Sequence, residues 1–169
     1  EFLLPHHDVL AAGLGAPRQD VPFTLVGPAA AEHLHEAIPR MAGSIALALG
    51  GRHLQRYWRT PAFLQWYEQI AEVDADVTIV NDMIFLPVGL RAARGRPVIF
   101  DAHEFAPSEN NGSRRWRIEQ RPMLRAICRR ELPRVAGMMT VSPGLVDAYR
   151  DCAGVNAELV TSAPWYQEL

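Results

Sequence analysis

Arg96-Pro97-Val98-Ile99-Phe100-Asp101-Ala102-His103-Glu104-Phe105 is the stretch whose reading decides the fold. A proline opens it, an apolar β-rich run from Val98 to Phe100 follows, and the run stops at a cluster of acid, imidazole and acid. A buried parallel strand that delivers polar groups to the rim of a sheet has this pattern. In open α/β sheets ligands bind in the crevice beyond the carboxyl ends of the strands, so the polar residues past Phe100 are candidates on position alone.

Working outward, the same alternation recurs. Val9 to Gly13 and Val21 to Val26 read as short strands, Asp76 to Val80 as a strand before Asn81-Asp82, Met138 to Val141 as one before Ser142-Pro143-Gly144, and Ala157 to Val160 as the last. Between them lie helical patterns. Leu34, Ile38, Met41, Ile45 and Leu49 share one face of a segment from Ala30 to about Arg59, and further helices are expected over Pro61 to Glu72, Ile84 to Ala93, Arg114 to Val135 (one long helix interrupted in pattern by Pro122) and Leu145 to Cys152. Asp101 to Ser113 reads as a long polar loop with the turn signal Asn110-Asn111-Gly112. Strands separated by helical crossovers define an α/β domain with a doubly wound, mostly parallel sheet and helices on both faces. It spans residues 1–164, and the tail 165–169 reads as the start of a linker.

Composition narrows the function classes. A chain of 169 residues, about half of them apolar, makes one domain with a real core. A net charge of -2 gives no global argument for nucleic acid. All 17 basic residues are arginine, a mark of a GC-rich genome rather than of mechanism. Cys128 and Cys152 fall in different helices without a CxxC spacing, so neither a disulfide framework nor a zinc knuckle is supported, and a reducing, cytoplasmic setting fits. The longest apolar stretch, Met41 to Gly51, falls short of the roughly 20 residues that a membrane-spanning helix needs. The opening Glu1-Phe2-Leu3-Leu4-Pro5 reads as the end of a helix, so an upstream segment carrying the first strand is expected.

Set side by side, the residues after the strands are Gly27-Pro28, Asn81-Asp82, Asp101 to Glu104, Ser142-Pro143-Gly144 and Ser162. They converge on one rim and imply one crevice. His103 is the catalytic candidate, because an imidazole flanked by carboxylates can hydrogen-bond a substrate hydroxyl or shuttle a proton. Asn81, Asp82, Asp101, Glu104 and Ser142 are candidate substrate contacts. Equally, Asp82 and Ser142 are placed to cap the helices that follow, and Asp101 to accept backbone N–H bonds in its own loop. Metal sites are not expected: Asp101, His103 and Glu104 match no standard ligand spacing, and His33 and His35 lie two apart on a helix and point differently. Gly13-Leu14-Gly15 lacks the third glycine and the helix of a dinucleotide loop.

Arg117, Arg121, Arg125 and Arg129 recur every four residues and, with Arg114, form a basic stripe if one helix carries them all. Such a stripe is either a solvated face or a contact for phosphate or anionic lipid, with Trp116 near the interface. Nucleic acid is not indicated, since no aromatic stacking platform accompanies the charge.

In this order, the strand before Asn81-Asp82, the Asp101-Ala102-His103-Glu104 tetrad, the Arg-bearing helix, Met138 to Ser142 and Ala163-Pro164 resemble the N-terminal half of glycosyltransferase family 4. The likeness is good from about Asp74 to Pro164 and holds in outline before that. What it implies is a Rossmann-like half of a two-domain GT-B fold in a retaining enzyme. This half would bind a small-molecule acceptor, and a C-terminal domain beyond these residues would hold the nucleotide-sugar donor. By motif the family's histidine beside the transferred sugar maps onto His103. No metal or other cofactor is implied, peripheral attachment at the inner face of a membrane is compatible with the basic stripe, and the isolated chain is expected to be inactive. A free-standing α/β binding module remains the alternative from another class. A hydrolase would need the Gly-x-Ser-x-Gly elbow, which the sequence lacks.

Overall fold

A computed structural model describes residues 6–12, 24–26 and 51–161. The chain divides into two compact units, Glu1–Asp74 and Ala75–Leu169. In the first, β1 (Leu10–Ala12) and β2 (Thr24–Val26) pair in parallel with Leu10 opposite Thr24. Two helices follow, α1 (His53–Trp58) and α2 (Pro61–Ile70), the second opened by a proline whose missing N–H costs nothing in a first turn. Tyr57 and Phe63 stack with ring centroids 3.9 Å apart and, with Trp66, are buried. Most of the helix expected from Ala30, and His33 and His35 with it, lies outside the described residues.

The second unit carries the tetrad. Its strands, β3 (Thr78–Val80), β4 (Val98–Ala102), β5 (Gly137–Thr140) and β6 (Glu158–Leu159), form a parallel four-stranded sheet in chain order. Each crossover is helical: α3 (Leu86–Ala92), then α4 (Arg114–Glu119) with α5 (Arg121–Arg130), then α6 (Pro143–Ala153). This is the Rossmann-like α/β arrangement expected from the strand–helix alternation. Burial alternates along the strands. Val80, Phe100 and Met138 stand side by side in register and are buried, whereas Ile79 and Ile99 on the opposite face are more exposed. An unbroken apolar run such as Val98-Ile99-Phe100 conceals that alternation, because sequence alone does not tell which apolar face is covered.

Two glycines matter here. A Cβ on Gly89 would stand 2.6 Å from Val80 Cγ2, so the missing side chain is what lets α3 lie against β3. Gly154 ends α6 in the left-handed conformation at φ 69°, where its N–H reaches the Arg150 carbonyl at 2.8 Å.

One expectation fails. Arg114 to Val135 is not a single helix but α4, α5 and a 3-10 turn at Leu132–Arg134. Pro122 has no N–H for the Ile118 carbonyl and its ring crowds that carbonyl, so the chain restarts a helix with the proline in its first turn. The basic row is therefore interrupted between Arg117 and Arg121.

Candidate functional site

β4 runs two residues further than the apolar run suggested, and this sets the site. Asp101 and Ala102 belong to the strand, opposite Met139 and Thr140. Asp101 is thus not a loop residue. Thr140, fully buried, donates its hydroxyl to the Ala102 carbonyl at 2.7 Å and fastens the ends of β4 and β5 together directly beneath the site. Past that tie the chain turns outward at His103.

Asp101 and His103 are two apart, the spacing that puts side chains on one side of an extended chain. Their Oδ2 and Nε2 atoms lie 3.1 Å apart, with the imidazole 60% and the carboxylate 23% exposed. When Nε2 carries the proton, the ring donates to Asp101, and its orientation is fixed with Nδ1 left to face a ligand. His103 stands in solvent at the rim, where a substrate can reach it.

The loop after His103 is held from behind. Tyr149 of α6 is fully buried, donates its hydroxyl to the Glu104 carbonyl at 2.7 Å, and receives the Ala106 N–H at 3.4 Å. Its ring meets Phe100 and Phe105 edge-on, at centroid distances of 6.2 and 5.1 Å. Burial pushes the Tyr149 phenol well above the usual tyrosine range, so it stays a neutral donor.

Glu109, in the loop that follows, senses two neighbouring acids. Although the residue as a whole is exposed, its carboxyl is held above the ordinary carboxylate value, first by partial desolvation, then by the negative charges of Glu104 and Asp82 and a hydrogen bond with Glu104. Residues following β3 and β4 therefore come within electrostatic reach of one carboxyl. Asp82 and Ser142 each occupy the residue before a helical turn, yet neither side chain makes a capping bond, so the capping role is not what they do. Asn81 is exposed after β3, and Ser142 follows β5, next to β4 in the sheet. Ser162 and Gly27-Pro28 lie outside the described residues.

The structure thus has an Asp101–His103 pair at the end of β4 in a parallel sheet, a pairing the sequence reading did not anticipate. A family model described as Glycosyltransferase Family 4 matches residues 9–164. The chain belongs to glycosyltransferase family 4. The match includes the first third of the chain, where the tetrad gives no guidance. Searches of curated proteins and of solved structures found no match.

In this glycosyltransferase domain the arginines divide. Arg114, Arg117 and Arg125 are exposed, while Arg121 is half-buried with its Nε enclosed and without a hydrogen-bond partner among the described residues. Arg115 pairs with Glu119 at 3.1 Å. Trp116 is buried, contrary to the expectation of an interfacial tryptophan; Ile118, 64% exposed, is the apolar side chain that faces outward there. Glu109 and Tyr149 are the residues that sequence reasoning passed over. Glu109 sits among polar loop residues with nothing to mark it, and Tyr149 reads as an ordinary helix-core aromatic. Among the described residues no group of His, Cys, Asp and Glu is set to hold a metal, and no helix is long and apolar enough to cross a membrane.

Proposed function

We propose that this domain binds the acceptor in a retaining transfer from a nucleotide-sugar, with His103 as the catalytic residue and a second lobe holding the donor. The observation that carries the reading is the Asp101–His103 pair, 3.1 Å apart and open to solvent at the end of β4 in a family 4 domain. Asp101 orients the imidazole, and the imidazole makes the hydrogen bond to the reacting sugar or acceptor hydroxyl. Asn81, Asp82, Glu104 and Ser142 supply contacts to acceptor hydroxyls from neighbouring loops. In a retaining transfer the acceptor oxygen attacks the face from which the diphosphate leaves, and the leaving group helps to remove the acceptor proton. Catalysis is then mainly positioning and stabilisation of separating charge, shared between two lobes. The 169 residues alone accordingly transfer no sugar.

His103→Ala in the protein that joins this domain to its donor lobe tests the reading, with nucleoside-diphosphate release from a panel of nucleotide-sugars as the assay. Turnover falls about a hundredfold or more, the scale of a lost acid–base or hydrogen-bonding group, while the melting temperature is unchanged because the ring is exposed. Unchanged turnover removes His103 from catalysis, and transfer by the isolated 169 residues overturns the two-lobe requirement.

The same reading includes a peripheral contact with anionic membrane through exposed Ile118 and the exposed Arg114 and Arg117 of the same helix, with Arg125 exposed on the next. An apolar side chain among cations supports it.

A further inference from the structure

Twenty-four positions apart in the chain, Cys128 on α5 and Cys152 on α6 meet where the two helices pack, with their sulfurs 2.9 Å apart. Both are free thiols. The separation is shorter than ordinary nonbonded sulfur contact and needs less than an ångström of closure to reach the ~2.04 Å of a disulfide. Cys128 is fully buried among the α5 core residues Leu124 and Ile127, and Cys152 is half-buried, so Cys152 is the more accessible residue of the two. We propose that Cys128 and Cys152 form a reversible oxidation site, closed to an intrachain disulfide by a peroxide, independent of the transfer chemistry above.

The chemistry follows from the unequal exposure. The Cys152 thiolate attacks one oxygen of hydrogen peroxide, the O–O bond breaks, and the departing hydroxide takes a solvent proton to leave as water. Cys152 is then a sulfenic acid. The Cys128 sulfur attacks it, the S–O bond breaks, and the second hydroxide leaves as water with the Cys128 proton. Two thiols and one peroxide thus give one disulfide and two waters, the sulfurs losing two electrons to the peroxide oxygens. Burial pushes the Cys128 thiol up, followed by its hydrogen bond to Cys152, which keeps it protonated and assigns the first attack to Cys152.

The position connects the bond to the site. Tyr149 and Cys152 are three apart on α6 and share a face. A disulfide here staples α6 to α5 one turn from the tyrosine that holds the Glu104 carbonyl.

Folded protein is titrated with hydrogen peroxide, quenched with an alkylating agent and weighed intact. The expected product is about 2 Da lighter, having lost two hydrogens, with both thiols blocked together, a non-reducing digest linking residues 128 and 152, and full reversal by dithiothreitol. Cys152→Ser and Cys128→Ala each abolish the product. Should the buried Cys128 variant fail to fold, Cys152→Ser, at the half-buried position, still decides. Stepwise oxygen addition to Cys152 with Cys128 left alkylatable, a disulfide between chains, or two unreacted thiols at peroxide levels that oxidise a cysteine peptide overturns the proposal.

Discussion

Tyr149→Phe isolates the bond that positions the site loop. The ring and its edge-on contacts with Phe100 and Phe105 are retained, so no cavity opens. What disappears is the donor to the Glu104 carbonyl at 2.7 Å and the acceptor for the Ala106 N–H at 3.4 Å. The second bond is long and contributes little. The first leaves a part-buried carbonyl unpaired, a loss of about 1–2 kcal/mol; because Glu104 is at the surface, water recovers part of it and the lower figure applies. A loss of about 1 kcal/mol lowers the melting temperature by roughly 2–4 °C in a chain of this size. Amide exchange is the sharper assay, since the Ala106 N–H loses its partner and residues 103–106 loosen while β4 and β5 stay protected through the Thr140–Ala102 tie. If His103 has the catalytic role proposed above, turnover in the protein that joins this domain to its donor lobe falls as well, because a mobile loop holds the imidazole in place for less of the time. Stability and Ala106 exchange both equal to wild type would refute the reasoning that this hydroxyl anchors the loop.

The remaining predictions are independent of it. Glu109 holds its proton more tightly folded than unfolded, so its contribution to stability is full below the unfolded value near ~4.3 and is lost as pH rises through the folded value. Glu109→Gln therefore stabilises the protein at pH 7 but not at pH 4 in urea unfolding, and an equal gain at both contradicts the assignment. Gly89→Ala forces a methyl to 2.6 Å from Val80 Cγ2 and costs about 1 kcal/mol even after the gain in helix propensity. The cost shrinks in a Val80→Ala background, and a cycle without coupling would show that α3 and β3 do not meet there. Sedimentation with vesicles gives binding to anionic but not neutral lipid, falling between low and ~0.15 M salt and weakened by Ile118→Asp. Equal binding to neutral vesicles, or none, makes the arginines a solvated face.

Much of the fold was legible because strand and helix periodicities are local. Alternation of short apolar runs with amphipathic segments placed β3 to β6, α3 and α6 within a few residues, and the tetrad after Val98-Ile99-Phe100 marked the rim. The break at Gln120 was signalled by Pro122, where the sequence already showed the helical pattern interrupted, but whether the proline bends one helix or starts another depends on packing. Asp101 was misplaced into a loop because an acid ends an apolar run, whereas parallel pairing with Met139 carries the strand on to Ala102.

By itself, then, the sequence determined the α/β class and the strand at whose end His103 stands, since each depends on neighbours within about one turn or one strand. Tertiary structure alone decided that Asp101 lies beside the His103 imidazole, that Glu109 feels the charges of Asp82 and Glu104, that Tyr149 anchors the loop from forty-five residues away, and that two distant cysteines touch. Those relations depend on distances set by how α5 and α6 pack against the sheet, and no local periodicity encodes a contact made across it.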